Sequence, residues 1–174
     1  MMTKVLLVEN DRMHAERIAR VIGQIKPDWQ CLVADSCRDG RKIFVASMPD
    51  AAVLKDGLRD GDAVQLLKDF KAVRPELPVI MMVPDNSESR LSKTWDNEVF
   101  ALLPVQVPVG LLVMDLEMAM AAARSKLLEL SRARQAAAST WKNPFALAAL
   151  PANRAIALYQ PFDIFSLVAN RKQI

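Results

Sequence analysis

The stretch KVLLVEND, at residues 4–11, decides the fold: four apolar residues run directly into an acidic, amide-bearing turn. A short unbroken apolar run of this kind is typical of a strand buried on both faces of a parallel sheet. The same pattern returns in PDAAVLKDGLRDGDAVQLLKDFKAVRPELPVIMMV, at residues 49–83, where two apolar runs flank a segment with helical periodicity. Strand, helix and strand in succession predict parallel strands joined by crossover helices.

Outward from these stretches, five strands alternate with helices. The predicted strands are Lys4–Val8, Trp29–Ala34, Ala51–Leu54, Val79–Val83 and Val99–Leu103, and the predicted helices are Ala15–Ile25, Arg38–Ser47 and Ala63–Val73. A loop with a short helix is expected over residues 84–96. This alternation predicts an α/β fold with a five-stranded doubly wound parallel sheet. In such sheets the functional crevice lies beyond the carboxyl ends of the strands.

A long helix is predicted from Pro108 to Ala138, because no glycine or proline interrupts the chain after Gly110. About 30 residues of helix span ~45 Å, more than a sheet of this size can cover. Along it, apolar residues recur at spacings of three and four, which weakly suggests a coiled-coil seam. The seam consists of Leu116, Met120, Ala123, Leu127 and Leu130.

The last 34 residues, 141–174, contain three prolines placed where each can open a short helix. Three short apolar helices are predicted there. Five of the ten aromatic residues also fall in this segment, and aromatic side chains anchor interfaces as readily as cores. The candidate partner-binding residues are Leu127, Leu130, Trp141, Phe145, Tyr159, Phe162 and Phe165.

The charge is modest, with a formal net value of +3, but its basic excess lies late in the chain. From Leu111 onward there are eight Lys or Arg residues against four Asp or Glu residues. A basic tail binds nucleic acid or acidic lipid in some proteins, and in others it is only the solvated face of a helix. The second interpretation is preferred for so small an excess.

No metal or cofactor is expected. The chain offers only Cys31, Cys37 and the single His14 as soft ligands, without metal-type spacing. His14 is expected to be a surface residue. A reduced cytoplasmic location is the default expectation, because cysteines are few, the N-terminus lacks a leader pattern and no apolar run reaches the ~18 residues of a membrane span.

Residues 3–125 resemble the receiver domain of two-component response regulators, of the kind found in chemotaxis regulators. The resemblance rests on the two quoted stretches and on a framework of four short motifs. These are Pro49-Asp50, Gly61-Asp62, Leu66-Leu67 and Leu77-Pro78-Val79-Ile80. It implies a flavodoxin-like receiver fold over residues 1–125, a helical extension over 126–174, and a non-enzymatic signalling role.

The resemblance also implies that most residues of the family's phosphorylation site are replaced in this chain. In the family, an acidic pair after the first strand holds magnesium, an aspartate ending the third strand accepts phosphate, a Ser or Thr ends the fourth strand, and a lysine follows the fifth. The corresponding residues here are Glu9 and Asn10, Lys55, Val83 and Pro104. Only Glu9 keeps the family's chemistry, so we expect a degenerate site without bound magnesium.

Two alternatives concern the end of the third strand. Asp56 is a rival phosphate acceptor, but a one-residue slip in a buried strand turns its side chain to the opposite face of the sheet. Lys55 either pairs with Glu9 or Asp11, where a magnesium ion would otherwise sit, or extends to solvent from the strand end. The sequence leaves both interpretations of Lys55 open.

The resulting hypothesis is a phosphorylation-independent pseudo-receiver: a non-catalytic signalling or scaffolding protein that binds a protein partner and forms a homodimer through its long helix and tail. The alternative is a transcriptional or antitermination regulator that binds nucleic acid through a basic tail. The basic residues of that tail are Lys142, Arg154, Arg171 and Lys172.

Overall fold

The computed structural model describes residues 2–84 and 99–141, with side chains described as far as residue 135. Strands and helices alternate along it. The strands are β1 (Thr3–Val8), β2 (Trp29–Ala34), β3 (Ala51–Lys55), β4 (Val79–Val83) and β5 (Ala101–Pro104), and the helices are α1 (Arg12–Ile25), α2 (Cys37–Ser47), α3 (Ala63–Val73) and α4 (Val109–Trp141). The predicted short helix within residues 84–96 lies almost wholly outside the described residues, as do the three predicted tail helices.

The five strands form one parallel sheet in the order β2-β1-β3-β4-β5. The predicted fold class, a doubly wound α/β sheet of the flavodoxin-like receiver type, is confirmed. The chain winds outward from β1 in both directions, so the order reverses beside β1, where β1 and β3 are neighbours. Ligand sites of doubly wound sheets form at the carboxyl ends of strands at such a switch point.

Alternating side chains of the strands supply two separate cores, one on each face of the sheet. Leu6 and Val8 of β1 point to the face covered by α2 and α3, where the rings of Phe44 and Phe70 stack with centroids 4.2 Å apart. Val5 and Leu7 point to the opposite face. The helical residues packed on that second face are Ala15, Ile18, Ile22, Leu112, Val113, Leu116 and Met120. Because both faces are covered, the buried lengths of the central strands β1, β3 and β4 are apolar, as the opening sequence pattern indicated.

Several predicted boundaries are wrong by one to three residues, among them the start of β5 and the end of α4. β5 begins at Ala101 and not at Val99, because the backbone N–H of Phe100 donates to Val79 O and regular pairing starts one residue later, with Ala101 opposite Ile80. α4 runs to Trp141, three residues beyond the predicted end, since no glycine or proline intervenes. Trp141 is therefore helical and continuous with α4.

The first half of α4 packs on the sheet, and its later residues are exposed. Leu112, Leu116 and Met120 are buried, whereas every residue from 124 to 135 is exposed. The predicted coiled-coil seam is therefore wrong as one continuous surface, because its first two members belong to the core of the sheet. Exposed apolar side chains on α4 are Leu111, Met114, Met118, Leu127, Leu128 and Leu130.

Two compact units make up the chain, Met1–Leu128 and Glu129–Ile174. The predicted division after residue 125 remains a prediction. Across the described ranges, no helix is both long enough and apolar enough to be a membrane span.

Candidate functional site

A buried carboxylate lies at the carboxyl end of β1. Glu9 has no solvent exposure, and both of its oxygens are engaged. Its Oε1 accepts from Lys55 Nζ at 2.6 Å and from the backbone N–H of Asp11 at 2.8 Å. Its Oε2 lies 2.8 Å from Nδ1 of His14. Since an ionised carboxylate away from water is costly unless it is paired and hydrogen-bonded, these three contacts explain how Glu9 is accommodated.

The register of the sheet brings Glu9 and Lys55 together. Val8 lies opposite Leu54 in the β1–β3 pairing, so the next residue of each strand leaves the sheet beside the other. The chain then turns away from the sheet at Gly57, whose φ of +80° is a conformation that favours glycine. The ion pair expected of Lys55 is thus confirmed, with Glu9 as its partner, and the alternative in which the ammonium extends to solvent is wrong.

His14 is not the surface residue that was expected. Its side chain is only 13% exposed and contacts Glu9. The reason lies in how α1 begins: Asp11 is the N-cap, and its carboxylate accepts from the backbone N–H of His14 at 3.1 Å. Side chains in the first turn of a helix lean back toward its N-terminus, which directs the imidazole to the end of β1.

Asp11 also carries a local negative charge beside the site. The hydrogen bond from the backbone of His14 is the main reason that its pKa lies below the ordinary value, and the nearby positive charge of Lys55 acts in the same direction. Its carboxylate therefore stays ionised, and it caps α1 while Glu9 pairs with Lys55.

The other residues of the predicted degenerate site lie around the same edge of the sheet. Oδ1 of Asn10 is buried and has no hydrogen-bond partner among the described residues. Val83 is buried at the end of β4, opposite Pro104 at the exposed end of β5. Neither Val83 nor Pro104 offers a side-chain hydroxyl or amine. Whether these residues act as a functional unit remains a proposal.

Asp56, the rival acceptor, is half-buried and follows Lys55 out of β3. Its backbone N–H donates to Met82 O at 2.8 Å, and the chain bends at this residue, directly after β3 ends. It is Lys55, and not Asp56, that contacts Glu9. The carboxylate of Asp56 makes no ion pair or hydrogen bond with any other described residue.

The loop between β3 and α3 is tied to α2 by a residue that the sequence did not single out. The carboxylate of Asp60 accepts from the backbone N–H groups of Cys37 and Arg38, at 2.8 and 3.0 Å. Those hydrogen bonds hold the pKa of Asp60 below its ordinary value. Asp60 thus adds two hydrogen bonds to the start of α2, whose N-cap is Ser36. Since Asp60 lies 22 or more residues from the N–H groups that it accepts from, no local capping motif could have revealed it.

Few of the predicted partner-binding residues have described side chains. Leu127 and Leu130 are exposed, by 44% and 51%. Trp141 is the last residue of α4, and its side chain lies outside the described part, as do Phe145, Tyr159, Phe162 and Phe165 entirely. Within residues 2–84 and 99–135, no group of three or more His, Cys, Asp or Glu residues is arranged to hold a metal ion.

No family model and no curated protein sequence matches the chain. Solved structures do match. The chain is similar to a response regulator receiver domain protein from Clostridium thermocellum, at 19% identity and a TM-score of 0.65 over 73% of this chain and 99% of that one. It is also similar to a CheY-like receiver domain protein from Methanospirillum hungatei JF-1, at 16% identity and a TM-score of 0.63 over 72% of this chain and 99% of that one. A two-component response regulator from Clostridium difficile matches at 17% identity and a TM-score of 0.62, over 68% and 96% of the two chains. At such low identities the similarity concerns the fold, and the chain therefore has the fold of response-regulator receiver domains.

Proposed function

We propose that this protein is a pseudo-receiver, a non-catalytic signalling or scaffolding protein that acts by binding a protein partner without being phosphorylated at its strand ends. The observation that carries the proposal is the 2.6 Å contact between Lys55 Nζ and the fully buried Glu9. In this proposal, the ammonium of Lys55 supplies beside Glu9 the positive charge that magnesium supplies in receiver domains.

The residues at this edge of the sheet do not fit a magnesium ion. Magnesium takes hard oxygen ligands in octahedral geometry and gains from carboxylate charge. Here Glu9 is already hydrogen-bonded through both oxygens, Asn10 is uncharged, and the ammonium of Lys55 would repel a second cation. Without a metal, and with Val83 and Pro104 where a hydroxyl and an ammonium would be needed, the charge on a transferring phosphoryl group has little stabilisation.

Partner binding and self-association are proposed to use the later part of α4 together with the tail. Leu127 and Leu128 are exposed by 44% and 57%, and Leu130 by 51%. Large apolar side chains grouped on one short stretch of helix favour an interface, because soluble monomers rarely expose apolar patches beyond a few hundred Å². We propose a homodimer as the assembly and the cytoplasm as its location.

Treatment of the full chain with a small phosphate donor, with and without Mg²⁺, tests the central claim. The proposal expects no stable, magnesium-dependent covalent phosphate on the intact protein by mass spectrometry. Asp56→Asn is the matched variant, since it removes the one rival acceptor at the end of β3. Labelling of the natural chain that disappears in Asp56→Asn would show an active receiver and overturn the proposal.

A further inference from the structure

An open cleft of about 820 Å³ lies beside Lys55, the solvent-reaching member of the Glu9–Lys55 pair. Its lining includes residues from the first half of α1, Lys55 at the end of β3, and Val105 and Gln106, which follow β5. Small-molecule sites in proteins usually measure about 300–1,000 Å³. The cleft is thus the size of a small ligand, and the proposed signalling role assigns it no occupant.

The charged residues of the α1 wall fall into two groups. The carboxylates are already engaged, because Asp11 caps α1 and Glu16 pairs with Arg12 at 2.8 Å. Two exposed arginines, Arg17 and Arg20, form no ion pair or hydrogen bond with any described residue. Arg17 and Arg20 are therefore the two guanidinium groups open to a ligand, and the ionised carboxylate of Asp11 is the negative charge that remains beside them.

These two arginines are spaced to act on one anion. Residues three apart on a helix are neighbours, with Cβ atoms about 5–6 Å apart. Each guanidinium offers a planar fork of N–H donors that matches the oxygens of a phosphate. Lys55, which also lines the cleft, donates one hydrogen bond to Glu9, yet an ammonium carries three N–H donors and this side chain is 18% exposed. Three cationic groups consequently line one cleft.

Apolar surface is also present in the cleft. Met13, which is 81% exposed, and Val105 both line it. We propose that this cleft binds a small phosphate-bearing molecule, with its phosphate held by Arg17 and Arg20 and its less polar part against Met13 and Val105. A small molecule is favoured over an acidic protein segment because the volume of the cleft falls in the range of small-molecule sites.

The proposal is tested with phenyl phosphate as the probe, added to the ¹⁵N-labelled full-length protein and followed by NMR. Phenol is the matched compound without the phosphate, and succinate supplies two carboxylates in its place. The expected result is saturable shifts of the backbone signals around Arg17, Arg20, Lys55 and Gln106 with phenyl phosphate. Phenol should bind at least tenfold more weakly, since charge-assisted hydrogen bonds supply roughly that factor.

Variants of the wall complete the experiment. Arg17→Ala and Arg20→Ala should each weaken phenyl phosphate binding by roughly tenfold, the loss expected for a hydrogen bond to a charged group. The matched control is the double variant Arg38→Ala with Arg59→Ala, which removes two exposed arginines that do not line the cleft and should leave the affinity unchanged. Thermal unfolding of each variant checks that the fold is intact.

Three outcomes would overturn the proposal. One is the absence of saturable shifts at about 10 mM phenyl phosphate, ten times the ~1 mM Kd that corresponds to only ~4 kcal/mol of binding free energy. Another is an equal loss of affinity in the control double variant, which would mean that net charge alone attracts the probe. The third is equal or tighter binding of succinate or of a glutamate-rich peptide, which would make the cleft a site for carboxylates. None of these outcomes bears on phosphorylation or on the proposed dimer.

Discussion

The Nζ atom of Lys55 lies 2.6 Å from Oε1 of Glu9, although the two residues are 46 positions apart in the chain. Glu9 has no exposure and the side chain of Lys55 is 18% exposed, so the pair is buried at one end and reaches solvent at the other. An ion pair in this position connects the carboxyl ends of β1 and β3, and the connection needs no bound ion or small molecule.

The first prediction concerns the two halves of this pair. Lys55→Met should lower the free energy of unfolding by roughly 3 kcal/mol, because it leaves the buried carboxylate of Glu9 without its counter-charge. Glu9→Gln should cost less, about 1 kcal/mol, since the ammonium of Lys55 can turn to solvent. Urea unfolding of the single and double variants measures both values and their coupling. A larger loss for Glu9→Gln than for Lys55→Met would contradict this account.

The second prediction concerns pH and the Asp60 tether to α2. The pKa of Asp60 is lower in the folded protein than its ordinary value of 3.8, so its contribution to stability is complete above that value. The contribution is lost as the pH falls through the lower, folded pKa. Asp60→Asn should therefore weaken the acid dependence of stability on the low-pH side.

Urea unfolding from pH 2 to pH 7 measures this difference. Asp28→Asn is the matched control, because Asp28 is exposed and its carboxylate makes no hydrogen bond or ion pair with the described residues. If the Asp60 and Asp28 variants have acid profiles of the same shape, the tether makes no pH-dependent contribution.

A third prediction follows from the exposed leucines of α4. If the protein is a homodimer through this region, Leu127→Asp combined with Leu130→Asp should convert it to a monomer at micromolar concentration. Two truncated interface anchors typically cost about 2 kcal/mol or more each. Light scattering gives the mass directly.

The matched control for the dimer is Met114→Asp with Met118→Asp, which alters two exposed residues in the first half of the same helix. It should leave the mass unchanged. A natural chain of monomeric mass, or a dimer lost only in the Met114 and Met118 variant, would exclude the proposed interface.

The fourth prediction separates a protein-binding module from a nucleic-acid-binding regulator. The basic tail residues Arg154 and Arg171 lie outside the described residues. We expect no retardation of RNA or DNA by the full chain at physiological salt. Retardation that decreases steeply with added salt, and that Arg154→Ala or Arg171→Ala weakens, would favour the nucleic-acid alternative, since phosphate contacts are strongly salt-dependent.

Sequence reasoning was accurate where the information is local. Buried strands appear as apolar runs, so β2 and β4 and the helix α3 were predicted with their observed bounds. The end of α4 was less accurate, because helical propensity continues through the Ala-rich stretch and no residue there forces a stop. The coiled-coil seam was wrong because spacing alone does not distinguish a helix that packs on a sheet from one that packs on another helix.

By itself, the sequence determined the alternation of strands and helices and the residues found at each strand end, including Glu9 and Lys55. Tertiary structure decided which of those residues touch. Parallel pairing of β1 with β3 selected Glu9 as the partner of Lys55, and the start of α1 brought His14 onto the same carboxylate. Tertiary structure also placed Asp60 within hydrogen-bonding distance of the start of α2, and it formed the cleft beside Arg17. The physical reason is that strand composition and helix periodicity are properties of neighbouring residues, whereas an ion pair or a cleft depends on distances between segments that only sheet register and helix packing fix.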